Sequence, residues 1–127
     1  MKAYEGGCHC GKVRFRIRTD FSRISECNCS ICTKKGTLNH RVAPENFELL
    51  SGEAELRVYQ FGTGTAKHYF CTTCGIHPFS RPRAAPEMFA VNVRCLDDFH
   101  QDVAAAKIAK FDGQNWERAV EEFKFTQ

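Results

Sequence analysis

This sequence predicts a mainly β fold with a short C-terminal helix. Runs of strand length rich in Val, Ile, Phe and Tyr recur along the chain, Gly and Pro clusters separate them, and clean helical spacing appears only near the end. A chain of 127 residues with 43% hydrophobic content and eleven Phe is the size of one domain, residues 1–127, and buries a real core. The net charge of +3, from 18 Lys and Arg against 15 Asp and Glu, is too balanced to imply a nucleic-acid partner. No apolar run has the length of a signal peptide or of a membrane span, so a soluble, cytoplasmic protein without a membrane partner is expected.

Residues 2–18 read as two strands joined at Gly6-Gly7-Cys8-His9-Cys10-Gly11. The second, 12–18, alternates basic and apolar residues strictly, as a half-buried strand does, with its basic face solvated. Ile24 leads into Cys27-Asn28-Cys29-Ser30-Ile31-Cys32. Ser30 is the expected cap of one helical turn running to Lys35, which Gly36 stops. Strands are expected at 38–42, 47–50, 56–61 and 67–70, with a turn at Gly62-Thr63-Gly64-Thr65. That turn lacks the strand-then-helix setting of a phosphate-binding loop. Cys71-Thr72-Thr73-Cys74-Gly75 has the pattern of a zinc knuckle, residues 81–86 read as an irregular loop, and 88–93 as another strand. An Ala-rich helix competes with an extended segment over 97–110. Residues 114–123 read as a helix, with Trp116, Ala119, Val120 and Phe123 on one face.

Eight cysteines lie clustered at 8 and 10, at 27, 29 and 32, and at 71 and 74, with Cys95 alone. Without a secretion signal, such C-x-C and C-x-x-C spacings point to metal ligands rather than disulfides. The simplest closed site joins Cys8 and Cys10 to Cys71 and Cys74. If Cys27 and Cys29 lie on an extended segment they share a face, and a tight turn returns Cys32 to it. This triplet either takes Cys95 as a fourth ligand, giving two structural zincs, or keeps a position open for water or a substrate thiol. Spacing alone leaves both arrangements open.

The motifs Gly7-Cys8-His9-Cys10-Gly11, Cys27-Asn28-Cys29-Ser30-Ile31-Cys32 and Phe70-Cys71-Thr72-Thr73-Cys74-Gly75, in this order, resemble the glutathione-dependent formaldehyde-activating enzyme family. The similarity is closest to the branch with the centromere protein V domain, which Asn92-Val93-Arg94-Cys95-Leu96-Asp97-Asp98 and Trp116 also resemble. The resemblance implies a β-tent, Mss4-like zinc-binding fold holding two zincs per chain. In it, Cys8, Cys10, Cys71 and Cys74 hold a structural zinc, and Cys27, Cys29 and Cys32 a catalytic one. It also implies a carbon–sulfur lyase-type reaction between glutathione, or another small thiol, and formaldehyde, or another small aldehyde, giving an S-hydroxymethyl adduct.

A free thiol is mostly protonated at neutral pH, and coordination to zinc removes its proton. Four thiolates on one Zn²⁺ leave a formal charge of −2, which nearby cations offset. Lys34 and Lys35 follow the triplet and are candidates, against an ordinary role as solvated lysines closing a helical turn. Arg81 and Arg83 are candidates to grip a substrate carboxylate, against ordinary surface arginines. His77 is a candidate acid, base or substrate ligand, against a hydrogen-bonded structural histidine. His9 and His68 are assigned structural roles, and Tyr59, Phe61, Tyr69, Phe70 and Phe79 are assigned to the core. The competing functional reading is a non-catalytic zinc module that binds a protein or nucleic acid, supported by the basic strand 12–18. A rubredoxin-like iron site is a third.

Overall fold

The structure, a computed structural model, describes residues 1–127 apart from 22, 104, 105, 107 and 127 and the side chains of 123–126. The alternation in the second expected strand organises the smaller of two sheets. Strand β1 (Lys2–Gly7) pairs antiparallel with β2 (Arg14–Thr19), which pairs on its other edge with β5 (Phe47–Ser51). Phe15, Ile17 and Thr19 are buried while Arg14, Arg16 and Arg18 point away, the two-residue period of a strand with one wet face. The basic face is largely neutralised. Arg14 pairs with Asp97 at 2.5 Å, and Arg16 reaches Glu5 at 3.0 Å and Glu48 at 3.1 Å.

The larger sheet takes β3 (Ile24–Cys27), β4 (Asn39–Val42), β6 (Leu56–Tyr59), β7 (Lys67–Cys71), β8 (Phe79–Arg81), β9 (Phe89–Asn92) and β10 (Ile108–Phe111). Their order is β10-β3-β4-β9-β8-β7-β6, antiparallel except where β10 lies parallel to β3. Tyr4, Phe15, Ile17, Ile24, Leu38, Val42, Val91 and Val93 form the main core. Burying a side chain of this size contributes about 1.5–3 kcal/mol, so Phe15→Ala, which also leaves a cavity, would cost about 3–5 kcal/mol. Phe79 continues this core, stacking edge-on to Phe47 at 4.8 Å.

Helix α1 (Ser30–Lys35) ends at Gly36, as expected, with φ of 68°. Its N-cap is Cys29 rather than Ser30: the Cys29 sulfur accepts from the Cys32 N–H at 3.4 Å, which makes Ser30 the first helical residue. The contested stretch 97–110 divides. Phe99–Val103 forms a π-type turn, and 108–111 is extended because β3 offers it a free edge. Residues 79–81 are a strand, so only the remainder of the expected 81–86 loop is irregular. Helix α2 (Trp116–Thr126) buries Ala119 and half-buries Trp116 and Val120, and the side chain of Phe123 lies outside the described residues. Among the described residues no helix is long and apolar enough to cross a membrane.

Tyr59 and Phe61 do not join the core. They are 53% and 46% exposed: Tyr59 ends β6, the outer strand of its sheet, and Phe61 lies just beyond it.

Candidate metal centres

Two groups of sulfurs converge, each with all its Sγ atoms within 4.8 Å of one another: Cys8, Cys10, Cys71 and Cys74 in one, Cys27, Cys29 and Cys32 in the other. The tetrad forms where the β1–β2 turn meets the turn after β7. Cys10 Sγ lies 3.5 Å from Cys8 Sγ and 3.8 Å from Cys71 Sγ, although Cys71 is 61 residues away in sequence. The Val13 N–H donates to Cys8 Sγ at 3.3 Å, and the Gly75 N–H returns to Cys71 O at 2.8 Å, closing the knuckle. Against a desolvation penalty, backbone N–H groups of Cys10 and Ile76 bring the Cys74 thiol down to about 6.

The triplet is built within one short segment. Cys27 ends β3, Cys29 caps α1 and Cys32 lies on its first turn, so strand and helix turn the three sulfurs to one point. The Cys29 N–H donates to Cys27 Sγ at 3.4 Å, and Asn39 Nδ2 approaches Cys32 Sγ at 3.8 Å. Without a cation the three sulfurs can hold only one thiolate cheaply. Hydrogen bonds from the Cys27 and Cys32 thiols bring Cys29 down to about 2, and the same bond to Cys29 pushes Cys27 far up. A divalent cation replaces the shared protons and lets all three sulfurs ionise, so this donor set fits a thiophilic metal. Cys95 belongs to neither group. It sits by the carbonyl of His77 at 3.7 Å and the amide of Asn92 at 3.6 Å, and burial pushes its thiol up to about 12.

A segment that sequence patterns did not single out braces the triplet. Asn28 donates through its backbone N–H to Phe111 O at 3.2 Å. Its side chain donates to Asp112 at 3.1 Å and accepts from the Gln114 N–H at 3.1 Å. This brings Gly113 so close that a Cβ there would lie 2.6 Å from Cys27 Sγ and 2.7 Å from Cys29 Cβ. Gly113 therefore fits because it has no side chain.

On the helix α1 side of the triplet lie two adjoining clefts of about 340 Å³ each, sharing Lys35 and Tyr59. Ser30, Ile31, Lys34 and Phe61 line one, and His68, Phe70, Gly75 and His77 the other. Lys35, half-buried, donates to His68 Nδ1 at 3.0 Å. Burial brings Lys35 down to about 8 even though the Cys32 and Cys29 thiolates favour its charge. Burial first, and then the Lys35 charge, bring His68 to about 4 and His77 to about 3. His77 Nδ1–H donates to Tyr69 O at 2.6 Å, which leaves its Nε2 as an acceptor. Lys34 and Lys35 thus line the clefts, as does His68, for which only a structural role was expected. Arg81 and Arg83 do not: Arg81 lies 3.9 Å over Phe89 and donates to Glu87 O at 3.1 Å, and Arg83 lies 3.8 Å over Trp116.

Comparison with known proteins adds two findings. The family model described as glutathione-dependent formaldehyde-activating enzyme matches residues 3–113. The crystal structure of a Rhodobacter sphaeroides protein is similar at 34% identity with a TM-score of 0.74, over 82% of this chain and 97% of that one.

Proposed function

The chain belongs to the glutathione-dependent formaldehyde-activating enzyme family, and on that premise we propose that it joins a small thiol to a small aldehyde, as an S-(hydroxymethyl)glutathione synthase-like carbon–sulfur lyase. The observation that carries this reading is the triplet itself: three sulfurs within 4.8 Å on one loop, beside a cleft lined by cations. In the proposal Cys8, Cys10, Cys71 and Cys74 hold a structural zinc and Cys27, Cys29 and Cys32 a catalytic one. When bound at the triplet, zinc supplies a Lewis acid with a fourth position, able to ionise a thiol or polarise a carbonyl.

The chain's own residues define the rest of the reaction. The turn at Gly113 fills one side of the triplet, so a ligand approaches from the α1 side, where the clefts lie. In the net reaction a carbon–sulfur bond forms, the carbonyl π bond breaks, and the thiol proton ends on the new hydroxyl oxygen. His77, at about 3, is too weak a base to hold that proton near pH 7 and instead offers a fixed acceptor in the cleft wall. The open cleft lets the proton return through water.

The test is NMR exchange between free and hydroxymethylated glutathione with formaldehyde present. Acceleration by wild type, its loss in Cys29→Ser and its retention in Cys95→Ser are expected. Protein carrying two metals that neither accelerates exchange nor binds any of several cellular thiols would overturn the reading.

A further inference from the structure

The clefts beside the triplet carry a charge pattern that the cysteine chemistry does not require. Their described lining includes two lysines and two histidines and no carboxylate. Apart from Ser30 and Gly75, the remaining wall is aromatic or apolar, with Ile31, Tyr59, Phe61 and Phe70. Tyr59 and Phe61 stack at 5.7 Å, and Phe61 stacks on His68 at the same centroid distance. Lys35 is the fixed cation of this wall. It is half-buried, and one of its three donors is spent on His68 Nδ1 at 3.0 Å, which leaves two for a ligand. That bond also fixes the His68 tautomer, with the ring proton on Nε2, facing away from Lys35.

Resting on the proposed thiol chemistry, we propose that Lys35, positioned by His68, is the specificity determinant that selects thiols carrying a carboxylate. The Lys35 ammonium grips the carboxylate, His68 Nδ1 holds the ammonium in place, and the sulfur reaches the triplet. Lys34, exposed at the mouth of the same cleft, adds attraction of longer range. A neutral thiol of equal reach leaves Lys35 without an anion, and a cationic thiol meets it with repulsion. Half-burial makes this pairing stronger than a surface ion pair, because less solvent screens it.

The test compares 3-mercaptopropionate with 2-mercaptoethanol on the two-metal protein, with cobalt in place of zinc and the visible spectrum as the binding signal. The ratio of their dissociation constants in each variant is compared with that in wild type, so the thiols' own basicities cancel. Lys35→Met should lower the preference for the anionic thiol about fivefold or more while 2-mercaptoethanol still binds, and Lys35→Arg should retain most of it. In wild type, 3-mercaptopropionate should also shift the His68 ring ¹⁵N signals more than 2-mercaptoethanol does, a readout that needs no variant. An unchanged ratio in Lys35→Met, or equal His68 shifts with both thiols, would overturn the carboxylate anchor and leave the thiol chemistry standing. Failure of both thiols to bind wild type would instead remove the chemistry on which the anchor rests.

Discussion

Gly113→Ala tests how tightly the C-terminal segment is fitted to the triplet. The added Cβ would sit 2.6 Å from Cys27 Sγ, well inside the 3.4 Å at which ordinary contact begins, and 2.7 Å from Cys29 Cβ. Neither neighbour is a flexible side-chain end, since both belong to the ligand loop. Relief requires either that Cys27 and Cys29 shift or that residues 112–115 lift away, straining the Asn28 bonds to Asp112 and Gln114. Overpacking of this kind costs about 1–3 kcal/mol, which at about 1.4 kcal/mol per factor of ten is about 5- to 150-fold in metal affinity at the triplet. Competition against a chromogenic chelator reads this directly, and the tetrad provides an internal control whose affinity should stay fixed. Equal affinity at both sites in wild type and Gly113→Ala would refute the close fit. A loss at the tetrad alone would likewise contradict the contact with Cys27 and Cys29.

Three further outcomes are expected. Cys8→Ser or Cys74→Ser should destabilise the whole fold in thermal melts, whereas Cys29→Ser should lose one metal yet melt cooperatively; the reverse pattern would contradict the assigned roles. Cys95→Ser should retain both metals by elemental analysis, because its sulfur lies outside both clusters and faces the carbonyl of His77. His68 and His77 should stay neutral by ¹⁵N NMR down to about pH 5, since burial, and then the Lys35 charge, hold them at about 4 and about 3. Their folded values lie below the unfolded value near 6.5, so the unfolded chain binds more protons between those limits. Their contribution to stability is therefore complete above about pH 6.5 and lost as pH falls towards 3, and a titration of either ring near 6.5 would contradict the burial.

Cysteine spacing made both sulfur clusters legible, because two ligands on one short turn need almost no tertiary information to be brought together. The strands were legible where one face is wet, as in β2, since alternation is a local record of burial. Other features depended on distant partners. Residues 108–111 became a strand only because β3 had an unpaired edge, and β8 is three residues long, too short for a pattern of its own. Tyr59 and Phe61 carry a core-like composition, yet Tyr59 ends the last strand of its sheet and Phe61 lies beyond it. His68 gave no sequence signal because its meaning lies in a contact with Lys35, 33 residues earlier. Gly113 carries no motif of its own in the sequence, and only the nearness of Cys27 reveals why a side chain is excluded.

The two clusters use the same ligand chemistry, but the chain is threaded through them differently, and this supports the separate roles proposed for them. The tetrad closes a long loop, from Cys10 to a sulfur 61 residues on, and Cys71 is fully buried beside Val13. A metal there opposes the loss of chain entropy on folding, so removing it weakens distant segments together. The triplet spans only Cys27 to Cys32, and its loop is already held by β3, by the α1 cap and by Asn28 against 111–114. A metal there adds little to the connectivity of the fold. This bracing supports the proposed open position, because the ligand loop is held by hydrogen bonds without a fourth cysteine. The one remaining thiol, Cys95, lies by Asn92 and the carbonyl of His77, where burial keeps it protonated. The Gly113 turn lies against the triplet, the Lys35 clefts lie beside helix α1, and the charges lining those clefts favour an anion.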